Sequence, residues 1–311
     1  MLTALAGGVG AARMLRGLAA VAGPAAVTAV VNTADDVILH GLHVSPDLDT
    51  VVYTLADAND EERGWGLAGE TWTAMEALER YGGQTWFRLG DRDLATHLYR
   101  TQRLAEQATL SEVTAEVAAA WGVGVRVLPV SDERVETRVT VAGPTPDTSE
   151  EIGFQEWFVG RRHGVAVESV RFEGAEEAEP APGVLAAVAA ADRVVICPSN
   201  PVVSIGPLLA VPGVADAVRA RRPDVVAVSP IVAGAALRGP ADRLMADLGH
   251  EASVVGVARL YAPYAACLVV DEADAGLAAA VEAEGVRCVV APTVMAGPER
   301  AAALARVVLA G

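Results

Sequence analysis

LTALAGGVGAARMLRGLAAVAGPAAVTAVVNTADD, residues 2–36, opens the chain with a pattern that settles its fold class. Leu2–Ala6 reads as a short buried strand and residues 7–10 as a tight turn. Residues 11–21 read as a helix carrying Leu15 and Leu18 on one face, and residues 26–31 as a second apolar run. Strand, glycine-rich turn, helix and strand begin a doubly wound α/β sheet, whose ligands sit beyond the carboxyl ends of the strands. The turn matches Gly8-x-Gly10, while Arg13 stands where the third glycine of a dinucleotide fingerprint belongs. Backbone N–H groups at the helix N-terminus still suit a phosphate, and Arg13, one turn in, adds a charged fork. A plain strand-to-helix turn with a solvated arginine accounts for the same residues.

Working outward, residues 45–120 are mostly helical in pattern. Pro46 suits a first helical position after Ser45, and Leu48, Val51, Val52 and Leu55 form one stripe. Further helices are predicted at 71–81, 94–104 and 112–121, the last opening with a Thr109/Glu112 capping box. Residues 123–142, 152–158 and 165–172 alternate apolar and polar side chains around Gly/Pro turns, as antiparallel strands do. An acidic connection, EGAEEAEPAPG at 173–183, leads back to the α/β rhythm, with apolar runs at 194–197, 225–228, 268–270 and 286–290. The expected architecture is a Rossmann-like, doubly wound, mainly parallel sheet built from residues 1–44 and 184–311. A helical insertion at 45–122 and a small antiparallel subdomain at 123–183 interrupt it, all within one domain spanning 1–311.

Composition narrows the chemistry. With 311 residues, 52% of them hydrophobic, the chain can bury a substantial core, and a net charge of -16 disfavours nucleic acid and anionic membrane as partners. No run of about 18 apolar residues suggests a membrane span, and the apolar N-terminus lacks the marks of a signal peptide, so a soluble, cytoplasmic protein is expected. All 24 basic residues are arginine. A Walker A loop and Schiff-base catalysis both need lysine, so any phosphate must be held by arginine forks, backbone N–H groups or metal. Cys197, Cys267 and Cys288 are scattered and read as small core residues, and no C-x-x-C, H-E-x-x-H or G-x-S-x-G is present.

Candidate chemistry gathers at the predicted ligand edge. NTADDVILHGLHVSPDLDT, residues 32–50, places Asp35 and Asp36 behind the second strand and Asp47 and Asp49 at a helix start. Carboxylates from two separate loops suit a hard, oxygen-seeking cation such as magnesium, although Asp47 near a helix start is favourable without any metal. His40 and His43 lack companions for a transition-metal site and read as loop packing. In TWFRLGDRDLATHLYRTQRL (85–104), Asp93, His97 and Arg100 share a helix face, and Arg88 lies between Phe87 and Leu89, where a bare charge needs a partner. Ser199, Asn200 and Ser204 follow one later strand; Ser229, Gly234, Arg238 and Gly239 follow another. Three such loops suggest a long ligand with several phosphates or nucleoside parts, its phosphates held by Gly8, Gly10, Arg13, Asn32, Ser199, Asn200 and Ser204.

At these residues the chain resembles the 2-phospho-L-lactate transferase family, called phosphoenolpyruvate transferase in actinobacteria, of coenzyme F420 biosynthesis. The resemblance runs nearly end to end. It is carried in order by AGGVGAARML, VVNTADD, HGLHVSPDLDTVVYTLA, RGWG, WFRLGDRDLATHL, FQEW, PSNPVVSIGP and SPIVAG. It implies an enzyme that moves a phosphoenolpyruvyl or 2-phospho-L-lactyl group from a guanosine-diphospho-activated donor to the ribityl hydroxyl of the deazaflavin FO. GMP is released, Mg2+ is required, and a homodimer is expected. Carried over residue by residue, Asp49 and Arg88 would contact the deazaflavin, and Asp35, Asp36, Asp47 and Asp49 would hold or neighbour the metal. Asp49 and Asp36 are the candidate catalytic acids. Nucleotide-sugar-binding proteins of the gluconeogenesis-factor type share the glycine turn and the Asp pair but lack SPDLDT followed by WFRLGDRDLATH. A nicotinamide dehydrogenase is disfavoured by the missing third glycine.

Overall fold

Short, mostly apolar segments bounded by turns suit a parallel sheet covered on both faces. The computed structural model, which describes all residues except Pro144, Pro146 and Asp147, places seven of them there. They are β1 (Leu2–Ala6), β2 (Val27–Val31), β3 (Arg126–Pro129), β4 (Arg193–Ile196), β5 (Val225–Val228), β6 (Cys267–Val270) and β7 (Arg287–Val290). Their spatial order is β7-β6-β5-β4-β1-β2-β3, every pairing parallel. Chain order reverses between β4 and β1, and this switch point is where a doubly wound sheet opens its ligand crevice.

Side chains along each strand alternate between two cores. Ala4, Ala6, Val195 and Val228 face one layer, and Leu5, Val194, Ile196 and Ala227 face the other. The first layer is covered by α1 (Gly8–Ala22), the C-terminal helix Pro298–Ala310 and α2 (Pro46–Leu55). Gly17 lets α1 approach that C-terminal helix: a Cβ there would lie 2.4 Å from the carbonyl oxygen of Ala301. Cys197 and Cys267 are buried and Cys288 is partly buried, all three as free thiols.

The helical insertion contains α2, α3 (Thr73–Arg80), α4 (Asp93–Ala105) and α5 (Leu110–Ala120). Thr109 and Glu112 form the anticipated reciprocal cap on α5. A small hairpin, Val37–Leu39 with Leu42–Val44, precedes α2, and His40 (φ +54) sits at its turn with Gly41. The antiparallel sheet runs Ser149–Gly153, Glu136–Ala142, Val167–Glu173.

Two expectations need correction. Residues 126–129 are not part of the antiparallel subdomain but the parallel edge of the main sheet, paired with β2. Val127 and Leu128 are buried while Arg126 is exposed, and in the sequence Val123, Val125 and Val127 alternate with Gly124 and Arg126, which reads as an antiparallel strand. Residues 154–158 are not strand either: Ser149–Gly153 ends first, and Glu156–Gly160 forms a π-helical turn. Phe154, Trp157 and Phe158 have helical i, i+3, i+4 spacing, and the buried Trp157 donates its indole N–H to Val165 O at 3.0 Å. Among the described residues, no single helix is long and apolar enough to cross a membrane.

Candidate active site

The carboxyl ends of β1, β2, β4 and β5, together with the loop after β7, open into one cavity of about 1090 Å³. Its floor is the glycine turn. Gly8 adopts φ +73, and Gly7 N–H donates to Ser199 Oγ at 3.3 Å. A Cβ on Gly7 would sit 2.7 Å from that of Ser204 and 3.0 Å from Asp47 Oδ2, and one on Gly10 would be 2.3 Å from Pro198 O. The glycine turn thus packs against Asp47 and the 198–204 loop so closely that any side chain there would clash. The facing loop is shaped by Asn200, whose Oδ1 accepts from Val202 N at 2.9 Å and Val203 N at 3.4 Å, while its buried Nδ2 has no partner. The helical turn starts at Pro201, capped by Asn200.

Of the residues singled out from sequence, Gly8, Gly10, Arg13, Asp35, Asp47, Asp49, Arg88, Ser199, Asn200 and Ser204 all line this cavity. Asn32 and Asp36 do not. Asn32 is fully buried beneath it: Nδ2 donates to Asp47 Oδ2 at 3.0 Å, and Oδ1 accepts from Ala34 N at 3.0 Å. It orients Asp47 and the Asp35 loop instead of meeting a ligand. Asp36 accepts from Ser45 Oγ at 2.6 Å and faces a separate cavity of about 250 Å³.

Burial dominates the electrostatics of these acids. It pushes the Asp47 carboxyl up to about 6, against the pull of the Asn32 amide and the Gly8 N–H. Asp35 is driven well above the usual carboxylate range by burial and by Asp47, and Asp36 rises to about 8 mainly through burial. Asp35 Oδ1 and Asp36 Oδ1 are buried without hydrogen-bond partners. Carboxylates held this way need either a proton or a cation, and the two that share the large cavity, Asp35 and Asp47, offer oxygen atoms that suit a hard cation.

Asp49 is different. Arg100, 3% exposed, donates from both terminal nitrogens to its two oxygens, NH1 to Oδ2 at 3.2 Å, and also reaches His43 O at 3.3 Å. His97 lies between Asp49 (Nδ1 to Oδ2, 3.6 Å) and Asp93 (Nε2 to Oδ2, 3.4 Å), and Tyr53 donates to Asp93 Oδ1 at 2.7 Å. Asp49, Asp93 and His97 bring one ligand atom each within 4.8 Å of one another and could hold a metal ion. The Arg100 guanidinium already balances Asp49 there. A divalent cation in that triad would face an adjacent fixed positive charge, so Asp35 and Asp47 fit a metal better. Arg100 and His97 were visible in the sequence as a charged helix face, but nothing in their spacing named Asp49 as the partner.

Aromatic side chains also line the cavity and its rim. Arg88 finds its partner in a ring: its guanidinium lies 4.6 Å from the centroid of Trp72. Arg63 lies 5.4 Å from Trp65 and 5.3 Å from Trp72. Phe154 and Phe158 stack with centroids 5.5 Å apart on the antiparallel wall. Gln155 ties that wall to the acidic loop by donating to Asp35 O at 3.2 Å. The cavity therefore combines a glycine turn, a buried acidic pair and an aromatic, arginine-bearing rim.

Residues 2–294 match the family described as 2-phospho-L-lactate transferase CofD. A phosphoenolpyruvate transferase of Kitasatospora aureofaciens is 48% identical over 99% of this chain and 97% of its own length. The Streptomyces griseus phosphoenolpyruvate transferase is 48% identical over 98% and 96%, and that of Thermobifida fusca 47% identical over 98% and 95%. In structure the chain is similar to a Bacillus halodurans protein (TM-score 0.63, 16% identity, covering 99% and 98%). A second crystal structure of that same protein, described as a member of the UPF0052 family, gives a TM-score of 0.61 at 16% identity and the same coverage. That likeness concerns the fold alone.

Proposed function

We propose a specific reaction for this chain, which belongs to the 2-phospho-L-lactate transferase CofD family and is an enzyme of phosphoenolpyruvate or 2-phospho-L-lactate transfer. The donor is the guanosine-diphospho-activated form of that group, and the acceptor is the ribityl hydroxyl of the deazaflavin FO in coenzyme F420 biosynthesis. The hydroxyl oxygen attacks the phosphorus that bears the enolpyruvyl or lactyl ester. A new P–O bond forms, the bridging P–O bond breaks, GMP leaves with the electron pair, and the hydroxyl proton is lost. The observation that carries this reading is the pairing of Asp35 and Asp47, buried and unbalanced by any arginine, with the glycine turn in one cavity.

Such a displacement needs charge neutralisation and alignment more than covalent help. Magnesium bound by Asp35 and Asp47 would supply charge neutralisation on the diphosphate. Backbone N–H groups of the glycine turn, with Ser199, Asn200 and Ser204, hold its oxygens, and Arg13 adds a fork from α1. Asn32 keeps Asp47 in place. Asp49, fixed by Arg100, accepts the hydrogen bond of the ribityl hydroxyl and takes its proton. The deazaflavin ring lies along the aromatic rim with Arg88 at its edge. Asp36, the other candidate acid, acts from behind the loop through Ser45. On the resemblance, the enzyme works in the cytoplasm as a homodimer.

The test is product analysis. With FO, magnesium and the phosphoenolpyruvyl or lactyl donor, the protein is expected to form the deazaflavin phosphodiester and GMP in equal amounts. The faster donor identifies the transferred group. Binding of both substrates without turnover would refute the assignment. For Asp49→Asn, substrate binding is expected to persist while kcat falls roughly 100-fold or more, and undiminished turnover would remove Asp49 from the chemistry.

A further inference from the structure

Five arginines line the large cavity. Four have protein partners: Arg13 reaches Met295 O, Arg63 pairs with Asp60, Arg88 lies on Trp72, and Arg238 donates to Arg63 O. The fifth, Arg162, is exposed and, alone among these five, makes no side-chain hydrogen bond, ion pair or ring contact among the described residues. Its neighbour Arg161 is held by Glu150 and Glu156.

The turn that carries Arg162 is built. Arg162 (φ +50) and His163 (φ +42) are consecutive non-glycine residues in the left-handed region, a conformation that persists only where surroundings impose it. His163 N–H donates to Trp157 O at 2.8 Å. Its ring stacks on Phe158 at 5.5 Å, and Arg243 donates to the carbonyls of His163 at 2.5 Å and Gly164 at 3.2 Å. These contacts hold the turn on the antiparallel wall, whose Gln155 grips the Asp35 loop.

We infer that Arg162 is the carboxylate-binding residue for the transferred group, its guanidinium forking onto the carboxylate of the phosphoenolpyruvyl or lactyl moiety. The inference rests on the proposed reaction. The donor's diphosphate is taken up by the glycine turn and the acidic pair, and Arg88 is committed to Trp72 at the acceptor rim. A second anion on the donor remains, and a planar fork without a protein partner on the adjoining wall has the chemistry to receive it.

Two donors test this: the guanosine-diphospho-activated phosphoenolpyruvate, and the methyl ester of guanosine diphosphate, which lacks a carboxylate. Affinities by calorimetry, and KM and kcat with FO, are compared for the wild type, Arg162→Gln and Arg162→Lys. The wild type is expected to bind the carboxylate donor more tightly. Arg162→Gln should weaken that donor roughly 10- to 100-fold in Kd and KM, leave the methyl ester unchanged, and keep kcat near normal; Arg162→Lys should restore part of the loss. Equal weakening of both donors, or of neither, overturns the inference. If the wild type makes no phosphodiester but prefers the carboxylate donor through Arg162, the site stands and the reaction falls. If the wild type binds the two donors alike, the site falls whatever the turnover.

Discussion

At the scale of single residues, the acids of the cleft divide by what balances them. Asp49 has Arg100, both side chains buried, and breaking such a pair strands a charge. Arg100→Leu is therefore expected to cost about 3–5 kcal/mol in denaturant unfolding, whereas a loss below about 1 kcal/mol would place the pair among those that contribute little. Asp36 accepts a hydrogen bond from Ser45 and feels the Arg100 charge without pairing with it, and burial pushes its carboxyl from the ordinary 3.8 up to about 8. A carboxyl with a raised folded-state pKa keeps its proton in the fold. Its contribution is most favourable below the unfolded value and is lost as pH rises through the window up to about 8. Asp36→Asn cannot titrate, so its melting temperature relative to wild type, in chelator, should climb between pH 5 and about 8. A difference that stays flat or declines contradicts the assignment. The acids were legible in the sequence because four stand within fifteen residues in an apolar chain. Their sorting was not: Arg100 is 51 positions from Asp49, and which face of the loop Asp36 takes depends on Ser45.

Among the elements, glycines do two separate jobs on α1. A side chain at Gly10 would strike Pro198 O in the cleft, whereas one at Gly17 would strike Ala301 O in the helix-packing layer. Gly10→Ala should both destabilise the fold, by roughly 1–3 kcal/mol, and weaken GDP binding. Gly17→Ala should cost comparable stability while leaving the activity of the folded fraction unchanged. If the two variants behaved alike in GDP titrations, the distinction would be wrong. The parallel strands were readable because burial on both faces leaves an uninterrupted apolar run. β3 escaped because an edge strand with exposed Arg126 mimics alternation, and the π-helical turn at Glu156–Gly160 escaped because a single turn is too short for periodicity to separate from strand.

For the whole molecule, the strand order decides where chemistry happens. Reversal between β4 and β1 brings loops from residues 7–10, 32–36, 198–204 and 229–241 to one mouth, and the insertion adds α2 and α4 across from them. A chain of net charge -16 thus presents five arginines to a single cavity, which concentrates anion affinity where the global field would repel it. The account's central claim is that Asp35 and Asp47, not the Asp49–Asp93–His97 triad, hold the divalent ion. Mn2+ titration followed by electron paramagnetic resonance, with GDP present, addresses it directly in wild type, Asp47→Asn and Asp49→Asn. Asp47→Asn is expected to weaken Mn2+ binding roughly tenfold or more and Asp49→Asn to leave it intact; binding that survives in Asp47→Asn and disappears in Asp49→Asn would contradict the assignment.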